Sequence, residues 1–154
     1  MGNKSSRAQA VQRPKVGIQI IVLNKESKIL TGTRVQTGTC GLPGGSLEWG
    51  EKVKDFASRR LYAETMIRIK PEDFRALEVL NFPHDTQHRI DWILACRYPD
   101  DHEPDTRIIL DWYSLEELPK LDLYHELRTC IEREKMIVKV NYENLDEMPE
   151  IQTE

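Results

Sequence analysis

The chain has 154 residues, 39% of them apolar, and a net charge of −4 at pH 7, which fits one domain with a full core and short arms. That balance argues against bulk nucleic-acid binding through phosphate neutralisation, and no apolar run reaches the length of a membrane span. Cys40, Cys96 and Cys130 are an odd number at unrelated spacings, which excludes a disulfide framework or cysteine metal motif and implies a reducing, intracellular setting: cytoplasmic, membrane-associated or within an organelle.

Residues 1–14 form a basic arm with Lys4, Arg7 and Arg13 and no acid. Its start, Met-Gly-Asn-Lys-Ser-Ser, meets the N-myristoylation pattern, with Gly2 as the acceptor. One acyl chain beside Lys4 and Arg7 would give weak membrane association; an ordinary polar start is the equal alternative. Lys15 to Leu23, with Val16, Ile18, Ile20 and Ile21, reads as a strand, and Lys28 to Arg34 as its partner across a polar turn at 24–27. A helix is expected over 52–66, because Val53, Ala57 and Leu61 recur at i, i+4 and i+8 with Tyr62 at the flank. Ala76 to Phe82 and His88 to Arg97 read as antiparallel strands, and Leu110 to Ser114 as another. Ser114-x-x-Glu117 is a capping box for a short turn. A last helix is expected over 122–135, capped by Asp122, with Leu123, Leu127, Cys130 and Ile131 inward. Residues 137–154 read as an acidic arm outside the core: Glu143, Asp146, Glu147, Glu150 and Glu154 follow residue 140 with no base and no apolar periodicity.

The chemistry-bearing segment is 42–67. It runs Leu-Pro-Gly-Gly-Ser-Leu-Glu-Trp-Gly-Glu into the predicted helix, where positions 60, 63 and 64 share one face. Carboxylates at such a spacing can converge on a divalent cation. Here the three positions hold Arg60, Ala63 and Glu64, so only Glu64 offers a ligand. The segment resembles a Nudix box, the loop–helix–loop of hydrolases acting on nucleoside-diphosphate-linked compounds. That pattern is Gly, five residues, Glu, seven residues, then Arg-Glu-apolar-x-Glu-Glu-x-Gly-apolar. Gly45, Glu51, Arg59, Leu61, Glu64 and Ile67 fit it, while Arg60, Ala63 and Met66 depart from it.

The resemblance implies the Nudix α/β/α sandwich with a mixed sheet over residues 15–136. It implies a pairing of Glu51 with Arg59, and a turn at Gly44 and Gly45 that lets main chain approach metal and phosphates. Met does not favour a left-handed cap, so the helix is expected to run on or close differently at Met66. The segment 111–122 also looks like the region ahead of the last helix in the nucleoside-triphosphate diphosphatase branch. Trp112 then reads either as a base-stacking residue or as a core tryptophan. The four histidines show no ligand spacing, and the acidic loop at 100–105 reads as a solvated loop.

Three functional expectations follow. The leading one is a degenerate, catalytically impaired Nudix-domain protein serving as a binding or structural subunit with an unidentified protein partner. The second is a Mg²⁺-dependent hydrolase of nucleoside triphosphates or related nucleoside diphosphate derivatives, with one ion on Glu64, Glu51 or Glu48 and an acid outside the helix. The third is a nucleotide or other phosphorylated ligand held without turnover by Arg59, Arg60, Gly44 and Gly45.

Overall fold

The structure is a computed structural model that describes residues 11–33, 37–84, 86–105, 107 and 109–153. Strands β1 (Lys15–Leu23), β2 (Ile29–Thr33), β3 (Cys40–Gly41) and β4 (Gly44–Ser46) precede helix α1 (Val53–Thr65). Strands β5 (Arg75–Phe82), β6 (Arg89–Arg97) and β7 (Asp111–Tyr113) lead to helix α2 (His125–Glu132). The sheet order is β3-β2-β1-β6-β5, with β4 added to β1 and β7 to β2. β1 runs parallel to β6 along its whole length, and the other pairs are antiparallel, so the sheet is mixed.

β1 is apolar on both faces because both are covered. Ile18, Ile20 and Val22 meet Val53, Phe56, Ala57 and Leu61 of α1 in one core. Ile21 and Leu23 meet Leu127 and Cys130 of α2 in the other. This is the expected α/β/α sandwich, and the Val53–Ala57–Leu61 stripe faces inward as its spacing requires.

Three expectations are corrected. First, α2 begins at His125, and its N-cap is Tyr124, not Asp122. The backbone of 122–124 is already engaged with Cys40, whose N–H donates to Asp122 O at 2.7 Å and whose carbonyl accepts from Tyr124 N at 3.0 Å. Second, Met66 does adopt the left-handed cap, at φ 64°, and its N–H donates to Tyr62 O. The next residue dictates this: Ile67 is fully buried, and its N–H donates to Thr65 Oγ1. A left-handed non-glycine residue costs about 1–2 kcal/mol, part of which glycine would lose again through its unfolded-state freedom. Met66→Gly is therefore expected to stabilise the fold by about 0.5–1 kcal/mol in urea denaturation, and a lowered midpoint would show that Met66 packing outweighs the strain.

Third, residues 137–151 are not an arm outside the core. Ile137, Val140, Leu145 and Met148 are buried in the α2-side core. The acids hold the segment in place. Arg97 donates to Asp146 Oδ1 and Tyr142 O, and Glu150 Oε2 accepts from Lys54 Nζ at 2.8 Å and Ala76 N at 3.1 Å. Ile137 and Leu145 sit on short 3-10 turns and Val140 and Met148 outside them, which is why the four follow neither a helical nor a strand period.

Candidate functional site

The glycine turn is stitched to the central strand. Gly44, Gly45 and Ser46 pair with Gln19, Ile18 and Gly17, while Ile20 N donates to Pro43 O and Leu47 N to Val16 O. The two glycines play different parts. At Gly44, φ is +153°, and an added Cβ would lie 1.9 Å from Ile18 O. At Gly45, a Cβ would meet Arg60 Nε at an ordinary 3.4 Å.

Helix α1 presents Arg60 and Glu64 to this turn. Arg60 Nε donates to Gly44 O at 3.0 Å and to Glu64 Oε1 at 2.7 Å. One main-chain oxygen and one carboxylate oxygen thus converge on a guanidinium, in the place where converging oxygens would otherwise suit a cation. Burial pushes the Glu64 carboxyl above the usual range, and the charge and hydrogen bond of Arg60 oppose that shift. Ala63 is exposed and supplies no ligand. No group of three or more His, Cys, Asp or Glu among the described residues is placed to hold a metal ion.

Arg59 forms a separate pair one step round the helix. Its Nε and Nη2 donate to the two oxygens of Glu51, each at 3.0 Å, with Glu48 at 3.7 Å. The Arg59 hydrogen bond holds Glu51 below the ordinary carboxylate range. This is the pairing the resemblance implies, and it closes the loop at the helix start.

A cavity of about 400 Å³ opens beside Arg60, Glu64 and Gly44, walled by Leu30, Leu42 and Ile109. Neither Glu51 nor Trp112 lines it. Trp112 packs on the α1-side core, with its ring edge-on to Tyr98 at 4.9 Å. The acidic loop is engaged elsewhere. Asp100 pairs with Lys25, and Arg107 holds Asp105 down at about 2. Gly2 lies outside the described residues.

A second cavity, about 340 Å³, shares Leu42, Gly44 and Tyr124 with the first. Its lining contains a cluster that sequence reasoning missed. Asp91, 1% exposed, accepts from Gln19 Nε2 at 2.9 Å and Arg89 Nη2 at 3.1 Å. The signal was an acid in phase with the inward residues Ile93 and Ala95, opposite Gly17, where any Cβ would strike Arg89 and Asp91.

A glycine turn bound to the central strand of a mixed sheet, backed by a helix and closed by the Arg59–Glu51 pair, defines a Nudix-type domain. The NUDIX domain family model matches residues 13–133, and the chain belongs to that family. Its fold is similar to the MutT NUDIX hydrolase from Burkholderia pseudomallei (24% identity, TM-score 0.64, 79% of this chain and 98% of that one). It is also similar to the MutT protein from Methanosarcina mazei Go1 (22%, 0.63, 80% and 95%). A third is the NUDIX domain of Shewanella oneidensis NrtR, solved with ADP ribose (15%, 0.62, 87% and 97%).

Proposed function

We propose that this chain is a Nudix-domain binding or structural subunit with little or no hydrolase activity. One observation carries the reading: Arg60 Nε bonds both Gly44 O and Glu64 Oε1. An incoming Mg²⁺ would have to displace a permanent positive charge tied to both oxygens. Two unit charges ~4 Å apart at an effective dielectric near 20 are worth ~4 kcal/mol. Here that repulsion replaces the attraction a glutamate would provide, and Ala63 removes a second ligand. The residues therefore do not fit a cluster of divalent ions on this helix face.

A protein partner and weak membrane association through Gly2 belong to the same proposal. No helix among the described residues is long and apolar enough to cross a membrane. Because one similar Nudix domain was solved with ADP ribose, that compound belongs on the ligand panel. The alternative, a Mg²⁺-dependent hydrolase of nucleoside triphosphates or related diphosphate derivatives, draws on Glu64, the one box carboxylate that lines the cavity.

The test is phosphate and pyrophosphate release from nucleoside triphosphates, dinucleotides and ADP ribose with Mg²⁺ or Mn²⁺. Wild type is expected to be silent and Arg60→Glu/Ala63→Glu to gain metal-dependent turnover. Wild-type turnover of order 1 s⁻¹, abolished by Glu64→Gln, would overturn the reading in favour of the hydrolase.

A further inference from the structure

We propose that the end of the sheet where β1 and β6 begin is a docking face for an anionic membrane surface, and that it works without an acyl chain. The proposal builds on the membrane association read from Gly2 and gives that association a surface in the folded domain.

The chain is acidic as a whole, at −4, but its charge is unevenly placed. No acid precedes Glu26, whereas Lys4, Arg7, Arg13 and Lys15 all do. Of these, the structure describes Arg13 and Lys15. Both are exposed, and neither side chain hydrogen-bonds or ion-pairs with a described residue. β1 runs parallel to β6, so Lys15 lies beside Arg89 and its N–H donates to His88 O at 2.9 Å. The entry to β1 is thereby held against the turn between β5 and β6. A cavity of about 480 Å³ lies there, lined by Arg13, Lys15, His84 and His88 and by no acid among the described residues. Asp85, the acid of that turn, lies outside the described residues. Two unpaired cations are placed to meet anions from outside, and a negatively charged lipid surface attracts such residues over about a Debye length.

Apolar side chains stand around this basic centre. Val11 is 75% exposed two residues before Arg13, and Val16 is 36% exposed directly after Lys15. Leu47 N donates to Val16 O at 2.8 Å, which sets the exit of β4 beside Val16. Two residues further on, Trp49 is 104% exposed. The acids near it, Glu48 and Glu51, are both held by Arg59. An indole, apolar with one N–H, suits the boundary between headgroups and acyl chains. Single apolar anchors spaced around cations fit a fluid lipid surface, which moulds itself to each of them. A protein partner calls instead for a packed, continuous patch. The face shares no residue with the cavity beside Arg60, so it can be tested apart from the box.

The test is sedimentation of the unacylated full chain with vesicles of phosphatidylcholine alone and of phosphatidylcholine mixed with phosphatidylserine. Binding is expected only to the mixed vesicles, and it should weaken as salt is raised. Arg13→Glu/Lys15→Glu is expected to weaken it at least about tenfold, and Trp49→Ala at least about threefold. All three positions are exposed, so urea midpoints should stay at the wild-type value. Lys120→Glu/Lys139→Glu makes the same charge change at exposed lysines elsewhere and should bind nearly as wild type. Absence of binding at low salt, equal binding to both vesicle types, affinity indifferent to Arg13→Glu/Lys15→Glu, or an equal loss in Lys120→Glu/Lys139→Glu would each overturn the proposal. Binding by the Gly2-acylated chain alone would also overturn it, while sparing the association through Gly2. Binding by a chain that is never acylated would remove the Gly2 reading and leave the face standing.

Discussion

Gly44→Ala is expected to destabilise the protein by about 4 kcal/mol or more and to detach the glycine turn from the central strand. The new methyl would sit 1.9 Å from Ile18 O and 2.9 Å from Ile18 C. Both are backbone atoms of β1, which is buried under two layers and paired with β6 through nine consecutive residues, so neither can step aside. The φ of +153° adds strain for any residue with a Cβ. The only relief is for β4 to leave β1, and the carbonyl of Gly44 would then leave Arg60. Gly45→Ala, one residue on, adds a methyl at ordinary contact with Arg60 Nε and Phe56 Cζ and is expected to change stability by less than about 1 kcal/mol. Urea midpoints of the two variants give the comparison. Equal losses would show that the turn is not held as described.

Asp91→Ala is expected to cost about 3 kcal/mol, the second largest effect. Asp91 is almost wholly buried, and Arg89, 20% exposed, aims its guanidinium at it. Removing the carboxylate leaves a mostly desolvated cation and an unpaired Gln19 amide at the mouth of the second cavity. The cost is chiefly that of the orphaned partners, not the worth of the pair. Removing both charges should therefore be far milder: Arg89→Met/Asp91→Leu is expected to recover most of the loss. A double-mutant cycle in urea reads this directly. A double variant as unstable as Asp91→Ala would assign the loss to shape instead of charge.

Legibility in the sequence followed the regularity of the local signal. The α1 stripe, the central strand and the Arg59–Glu51 pair were legible because their spacing is set by helix or strand geometry together with the box frame. The α2 start was not, because Asp122 has the chemistry of a cap while its backbone is already engaged with Cys40, a residue 82 positions earlier. Met66 misled for a related reason: the burial of Ile67 overrides the conformational preference of its neighbour. At the candidate site, the replacement of Glu by Arg at position 60 was plain. Its two hydrogen bonds, to Gly44 O and Glu64 Oε1, were not, since they depend on how β4 seats the turn. Asp91 and Gln19 lie on different strands and meet only through the parallel register of β1 with β6.

The C-terminal segment bears on how copies of this chain behave towards one another. β5 is the outermost strand of the sheet on its side, and such a strand offers unpaired amides and carbonyls to any passing chain. The segment occupies part of that row itself. Ile151 N donates to Ala76 O, and the Glu150 carboxylate takes the Ala76 N–H. What reads in the sequence as a solvated acidic tail is thereby a guard against edge-to-edge aggregation. Removing residues 150–153 alone is expected to uncover the Ala76 N–H and carbonyl on this edge.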